Sequence, residues 1–338
     1  MKIIKTDELL NLINNLGKEM DIWAPVGDSF ERVPSLKTVE IPQGTTHFSA
    51  KEIFFPKEQT LLTYKREDGN FELDSVPLPD AKGVIFGLRS CDLVAIAEMD
   101  EFFTGRTYTD VYYQKLREGM LLFGVACKQA APTCFCNWFD PDVPVNPGVA
   151  DVYLYPLENY LLATSTTERG EKMLSSFPDA DEESLEKLER FKLESIASLP
   201  EKQETDGLAD RIYELFDDKQ FWQGTFDRCL GCGICTFVCP TCHCFDIQEE
   251  IINRVGRRYR LWDSCQFSLF TLEASGLNPR PTRFERMRQR FMDKLSYSYK
   301  EFGKYQCVGC GRCVVMCPAN IDIREVIAKS CTVSRGGG

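Results

Sequence analysis

Two cysteine blocks with the same spacing constrain this chain more than any other feature. Each follows the pattern C-x2-C-x2-C-x3-C-P, the first over residues 229–240 and the second over residues 307–318. Three thiolates on so tight a loop reach three irons of one [4Fe-4S] cube, and the intervening glycines let the backbone wrap closely and direct amides at the sulfurs. Two matched blocks, each ending in Cys-Pro, favour iron–sulfur clusters over a zinc site or a coincidence of spacing.

The fourth cysteine of each block stands next to the proline and points away from its own loop. In two-cluster ferredoxins this cysteine ligates the other cube, so we predict two crossed ligand sets. Cluster 1 is assigned to Cys229, Cys232, Cys235 and Cys317, and cluster 2 to Cys307, Cys310, Cys313 and Cys239.

The compartment decides what sixteen cysteines can do. The first 16 residues predict an amphipathic helix begun by Thr6, without the basic segment, apolar core and cleavage site of an export signal. The longest nearly uninterrupted apolar run, from Met120 to Cys127, has eight residues, whereas about 20 are needed to span a bilayer. We expect a cytoplasmic protein without a membrane span, in which reduced thiols hold metal rather than form disulfides.

Residues 1–167 predict an α/β domain. Short apolar segments between polar, proline and glycine residues predict a helix at 92–103 and strands at 53–55, 60–64, 84–87, 121–126 and 152–155. If the third and fourth of these strands are parallel neighbours, both end at the same edge of the sheet.

That topology would bring four cysteines together at one edge of the sheet. Cys91 comes after one of the two strands and Cys127 ends the other, while the loop Cys134-Phe-Cys136 can fold back to the same edge. We expect these four thiols to hold a third [4Fe-4S] cluster. The alternative is that they pack as small apolar side chains.

The remainder of the chain changes composition twice. Residues 168–222 are acidic and predict a solvated helical linker. Residues 223–332 hold twelve of the sixteen cysteines and predict an α-helical ferredoxin domain, in which the 67 residues between Cys239 and Cys307 add helices. Residues 333–338 predict a flexible tail. The expected fold class is α+β, with the α/β domain followed by the ferredoxin domain and its two [4Fe-4S] clusters.

Charge excludes one class of partner and suggests another. With 40 Lys and Arg against 51 Asp and Glu, a general nucleic-acid binder is not expected. Residues 254–294 nevertheless carry nine Arg and one Lys against four acids. Such a stretch is a nucleic-acid surface, a solvated face, or a source of positive charge that compensates clusters and docks an acidic partner.

Four cysteines remain without a predicted cluster. Cys242, Cys244 and Cys265 either donate S–H hydrogen bonds, or pack around a cluster and tune its potential, or supply a ligand in place of Cys239. Cys331 is interpreted as a cysteine without a functional role.

No motif for bond chemistry is present. Neither a G-x-G-x-x-G after a strand nor a G-x-x-x-x-G-K-[ST] occurs, and the two histidines, His47 and His243, stand without a second ligand or a nucleophile at a recognisable spacing. We therefore expect no catalytic residue and no independent active site. A chain that only carries electrons needs one partner that supplies them, typically a flavin subunit, and another that consumes them.

Several motifs together resemble the family of anaerobic sulfite reductase iron–sulfur subunits and sulfhydrogenase β-subunits. They are Phe86-Gly-Leu-Arg-Ser-Cys91-Asp92, Cys127 with Cys134-Phe-Cys136, Cys239-Pro-Thr-Cys242-His-Cys244, Trp262-Asp-Ser-Cys265, Asn278-Pro-Arg-Pro and Arg288-Gln-Arg290-Phe. The resemblance implies an iron–sulfur conduit that joins a catalytic subunit of sulfite reductase or nickel–iron hydrogenase type to a flavin-containing NAD(P)H or ferredoxin-linked subunit. It also supports the third cluster, because the four N-terminal cysteines belong to the pattern.

Two other functions stay open. The chain could be a standalone reductase that binds substrate in the N-terminal crevice beside its own cluster; turnover by the isolated chain with an artificial donor would favour this. It could also be a redox sensor that binds nucleic acid through residues 254–294, which salt-dependent binding would indicate.

Overall fold

The computed structural model describes residues 1–38, 44–67, 70–140 and 142–333. Its strands, numbered β1 to β11, are Lys2–Ile4, Asp21–Val26, Ser29–Val33, Glu58–Glu67, Asn70–Ser75, Gly83–Leu88, Met120–Val125, Val152–Pro156, Leu161–Thr164, Phe245–Ile252 and Val255–Trp262. Its α-helices, numbered α1 to α13, are Thr6–Leu16, Lys51–Phe54, Ser90–Thr104, Val111–Glu118, Glu168–Leu174, Glu182–Ala197, Leu208–Glu214, Lys219–Phe226, Ile234–Phe237, Arg283–Met292, Ser298–Phe302, Arg312–Val315 and Ile323–Thr332. Short 3-10 helices lie at Cys136–Trp138 and Val143–Val145, and a π-helical turn at Asp293–Tyr297 joins α10 to α11. The predicted tail lies, from residue 334 onward, outside the described residues.

A seven-stranded sheet organises the N-terminal half. Its order is β1-β9-β8-β7-β6-β2-β3, and β2, β6, β7 and β8 run parallel, whereas the outer strands are antiparallel to their neighbours. Every residue of β6 and β7 is buried, as expected for strands covered on both faces. Val84 of β6 stands opposite Leu121 of β7, which confirms the predicted parallel pair. The carboxyl ends of these two strands therefore meet at one edge.

The predicted strand at 53–55 is wrong. The structure has the one-turn helix α2, Lys51–Phe54, at this position. Phe54 and Phe55 are both buried, and the ring of Phe55 lies 5.3 Å from that of Phe103 and 5.8 Å from that of Trp262. Three apolar residues in a row have no periodicity that separates a strand from a helix, so packing decides.

A second, antiparallel sheet is built from both halves of the chain. Its order is β10-β11-β4-β5, so the predicted strand at 60–64 is present but pairs with β11 rather than with the first sheet. The interval between the cysteine blocks adds the helices α10 and α11, as predicted, and it also contains the strands β10 and β11, which the sequence analysis did not predict. Asn253 and Arg254, both with positive φ, form the tight turn of the hairpin.

The segment 168–222 is helical, as predicted, but it does not form a solvated linker. Leu188 and Phe191 of α6 pack into the core on one face of the first sheet. Leu208 and Ile212 of α7 pack into the core that surrounds the cysteine blocks. The segment therefore attaches the two halves of the molecule to each other.

Candidate metal centre

The first cysteine block wraps around a pocket. Gly231 and Gly233 have φ of +67° and +79°, which glycine adopts without strain, and α9 begins directly after them. The backbone N–H of Gly231 donates a hydrogen bond to Sγ of Cys229 at 3.3 Å. The pocket is lined by all four residues assigned to cluster 1, which are Cys229, Cys232, Cys235 and Cys317, and also by Cys313.

The second block repeats this local structure. Gly309 and Gly311 have φ of +61° and +74°, and α12 follows. The pKa of Cys310 is raised to about 12, mainly by burial and partly by the thiols of Cys239 and Cys313, while Arg312 opposes the rise. Cys239 also raises the pKa of the other two thiols of the block, Cys307 and Cys313. The four residues assigned to cluster 2, which are Cys307, Cys310, Cys313 and Cys239, thus lie close enough for their charges to interact.

The four N-terminal thiols converge as the topology predicts. Cys91 lies in the first turn of α3, just beyond β6, and Cys127 lies just beyond β7. Burial raises the pKa of Cys127 to about 11. A single pocket is lined by all four thiols, which are Cys91, Cys127, Cys134 and Cys136, together with Cys310 of the second block.

The second block is pressed directly against the N-terminal thiols. The backbone N–H of Phe135 donates to the carbonyl oxygen of Gly309 at 2.8 Å. A Cβ atom at Gly309 would lie 2.5 Å from the Cα of Cys136, so only glycine permits this approach. Arg312 of α12 forms a buried ion pair with Asp92 of α3 at 2.8 Å. The second block therefore forms one wall of the pocket that the four N-terminal thiols line.

Three cations are buried among the thiols. Lys51, Arg290 and Lys294 are each exposed by only 4%. Within the described residues none of them has a carboxylate within ion-pair distance. Arg290 instead donates to Sγ of Cys242 at 3.6 Å, and the thiols of Cys235 and Cys242 raise its pKa against the effect of burial.

This arrangement fits anionic clusters. A buried cation without a negative partner costs several kcal/mol, roughly, so an anionic group is expected beside these three. Arg290 and Lys294 belong to the basic stretch that the sequence offers for charge compensation. Lys51 was missed, because nothing in the sequence marks a lysine in an apolar segment as buried. Its Nζ donates to the carbonyl oxygen of Cys242 at 3.0 Å and lies 4.3 Å from the ring centre of Trp262.

Single-ion binding is a poorer fit. Among the described residues, no three His, Cys, Asp or Glu side chains are placed to hold one metal ion. The thiols of a four-iron cluster each bind a different iron and so lie farther apart than the ligands of one ion. The pockets between the cysteine blocks suit the larger group.

The remaining thiols divide into a group and a single residue. Cys242, Cys244 and Cys265 line another cavity, beside Arg290 and Lys294. The neighbouring thiol of Cys244 lowers the pKa of Cys265 to about 7. Cys331 is exposed and its Sγ lies 3.3 Å from the carbonyl oxygen of Glu204, away from the pockets.

Fold and site together define an iron–sulfur electron-transfer protein of an oxidoreductase. Residues 228–321, which contain both cysteine blocks, match a family described as a 4Fe-4S dicluster domain. The chain is 30% identical over 329 residues to the protein named sulfhydrogenase 2 subunit beta from Pyrococcus furiosus, covering 95% of this chain and 94% of the relative. No solved structure is significantly similar to this chain.

The chain belongs to the sulfhydrogenase β-subunit family. It is an iron–sulfur electron-transfer subunit related to that protein, and the dicluster match supports [4Fe-4S] clusters in its C-terminal part. In the part of the chain that the structure describes, no helix has the length and apolar character needed to cross a bilayer.

Proposed function

We propose that this subunit relays single electrons through three [4Fe-4S] clusters arranged in a row. The observation that supports this arrangement is that the second block lines both neighbouring pockets. Cys310 lines the pocket of the N-terminal thiols, and Cys313 lines the pocket of the first block. The order is thus the N-terminal cluster, cluster 2 and cluster 1.

Each cluster supplies a one-electron carrier whose potential depends on burial, charge and hydrogen bonds to sulfur. The chain's own residues control these factors. The N–H groups of Gly231 and Ile321 donate to Sγ of Cys229 and Cys317, both at 3.3 Å. The apolar side chains of Met287 and Phe291 on α10 line the pocket of the first block and limit the access of water.

The two ends of the row differ in exposure. Among the twelve assigned ligands, all of which lie in described residues, Cys232 of cluster 1 is classed as exposed. At the opposite end Cys127 and Cys134 are half-buried, as are the four ligands of cluster 2. Exposure therefore favours one partner at the Cys232 end, and we assign the second partner to the N-terminal cluster because it stands at the other end of the row.

For these partners we propose a catalytic subunit at one end, with a flavin-containing NAD(P)H or ferredoxin-linked subunit at the other. The name of the relative, a sulfhydrogenase subunit, favours a hydrogenase-type catalytic partner. A sulfite reductase type stays the second possibility from the motif resemblance. A standalone reductase has less support, because the pocket at the N-terminal crevice is lined by the thiols themselves.

Iron analysis of the chain purified without oxygen tests the cluster number. Three filled sites give about 12 irons per chain, and eight would exclude the N-terminal cluster. Cys134→Ser is expected to remove about four irons and one reducible EPR signal. Cys331→Ser, at an exposed thiol that lines neither cluster pocket, is the matched control and should change neither.

Copurification of the native complex tests the partners. Chains that bind flavin and a nickel–iron or sirohaem centre are expected to accompany this protein. Recovery of the chain by itself, with steady-state turnover of its own, would support the standalone reductase instead.

A further inference from the structure

Cys244 and Cys265 lie outside the three predicted ligand sets yet close to them. Cys244 directly precedes β10 and Cys265 follows β11, and the backbone N–H of Asp263 donates to the carbonyl oxygen of Cys244 at 3.0 Å. This bond holds the two strand ends together. Cys244 and Cys265 consequently line the same cavity, and their thiols are close enough for each to alter the pKa of the other.

The surroundings of the pair suit a reactive thiol. The side-chain amide of Gln266 donates to Sγ of Cys265 at 3.5 Å, and Cys265 is close enough to Cys235, a predicted ligand of cluster 1, for their charges to interact. Both thiols line the cavity that also contains Arg290 and Lys294, so protons have a route in and out. No three metal-binding side chains in the described residues suit a single ion, so a mononuclear site is not the better explanation.

We propose that Cys244 and Cys265 form a redox-active dithiol that exchanges electrons with the clusters of this chain. On oxidation the two S–H bonds break and an S–S bond forms. Two protons leave through the cavity, and the two electrons pass singly to one-electron acceptors, the [4Fe-4S] clusters; reduction reverses each of these changes. The protein thereby gains a two-electron store. The proposal rests on the proposed function only for the electron acceptors.

Tryptic peptides provide a direct test. Cys265 is the only cysteine in the peptide 261–283, whereas Cys244 lies in the peptide 229–254. The whole chain, purified without oxygen, is equilibrated with mixtures of oxidised and reduced glutathione, quenched in acid, alkylated and digested. We expect a cross-linked pair of these two peptides that appears and disappears with the two-electron dependence of a disulfide.

Variants identify the partner of Cys265 and the link to the clusters. Cys244→Ser should abolish the cross-linked peptide and leave the iron content unchanged. Reductive titration of the oxidised wild-type chain should consume two more electron equivalents than that of Cys244→Ser. Cys331→Ser is the matched control and should behave as the wild-type chain does.

Two results would overturn the proposal. The first is that the cross-linked peptide is absent at every glutathione ratio while the iron content stays intact. The second is that Cys244→Ser or Cys265→Ser loses about four irons, since the thiols would then be cluster ligands. An iron-free wild-type chain contradicts the proposed function separately, because the peptide assay reads the dithiol without iron.

Discussion

Replacing Arg290 by methionine should lower the reduction potential of the adjoining clusters by roughly 90 mV. The guanidinium is buried between both cysteine blocks, where it interacts with Cys235 of one predicted cluster and with Cys239 and Cys313 of the other. For an electron spread over a cluster about 8 Å away, at an effective dielectric constant of about 20, the lost attraction is about 2 kcal/mol. Reduction adds negative charge, so removing a nearby positive charge makes it less favourable.

The assay is a redox titration followed by EPR on the chain purified without oxygen, after iron analysis has shown that wild-type and variant chains carry equal iron. Arg290→Lys keeps the charge and should shift the potential by less than about 30 mV. Arg288→Met is the matched control on the same helix. The Arg288 guanidinium stacks on Phe216, 3.7 Å from the ring centre, and no shift beyond about 20 mV is expected.

An Arg290→Met chain with full iron and wild-type potentials would refute the reasoning. The guanidinium would then be compensated by a group other than the clusters. An equal shift in Arg288→Met would also count against it, because the effect would then come from a general loss of positive charge rather than from the position of Arg290.

The remaining predictions concern packing and pH. Gly309→Ala should lose the N-terminal cluster, measured as a loss of about four irons, because the new Cβ meets the facing backbone. The control Gly303→Ala has a similar φ but open space around it, and a denaturant titration should show a loss of only about 1 kcal/mol in unfolding free energy. Asp92→Asn leaves Arg312 buried without its carboxylate and should lower the unfolding free energy by about 3 kcal/mol, measured the same way. Burial raises the pKa of Glu98 from 4.5 to about 8. As pH rises, the unfolded chain therefore releases this proton before the folded chain does, and the stability of the wild-type chain falls between these two pH values. Glu98→Gln should melt at a higher temperature than the wild-type chain at pH 8 but not at pH 4.

Local spacing explains why much of the site was predictable. A block such as Cys229 to Cys239 determines its own loop, because its glycines and thiols lie within a few residues of one another. The convergence of Cys91 and Cys127 needed one further rule, that parallel neighbouring strands end at the same edge. The structure obeys that rule, although cluster binding by these thiols stays a prediction.

Long-range pairing explains what was missed. Nothing near the β4–β5 hairpin indicates that its partner is β11, because an antiparallel edge accepts many sequences of similar apolar pattern. The burial of Lys51 follows from the same pairing, since it lies over Trp262 at the end of β11. The predicted boundaries at 167 and 223 stay a prediction, and the second sheet crosses them.

That sheet has a consequence for biosynthesis. The ribosome releases β4 and β5 long before β10 and β11 exist, so the early hairpin waits with an unpaired edge until the region between the cysteine blocks has been made. Iron loading of the N-terminal thiols is then a late event that needs the finished chain, because the second block supplies one wall of their pocket. Expressing the first half alone should yield aggregates rather than a soluble, brown iron–sulfur protein.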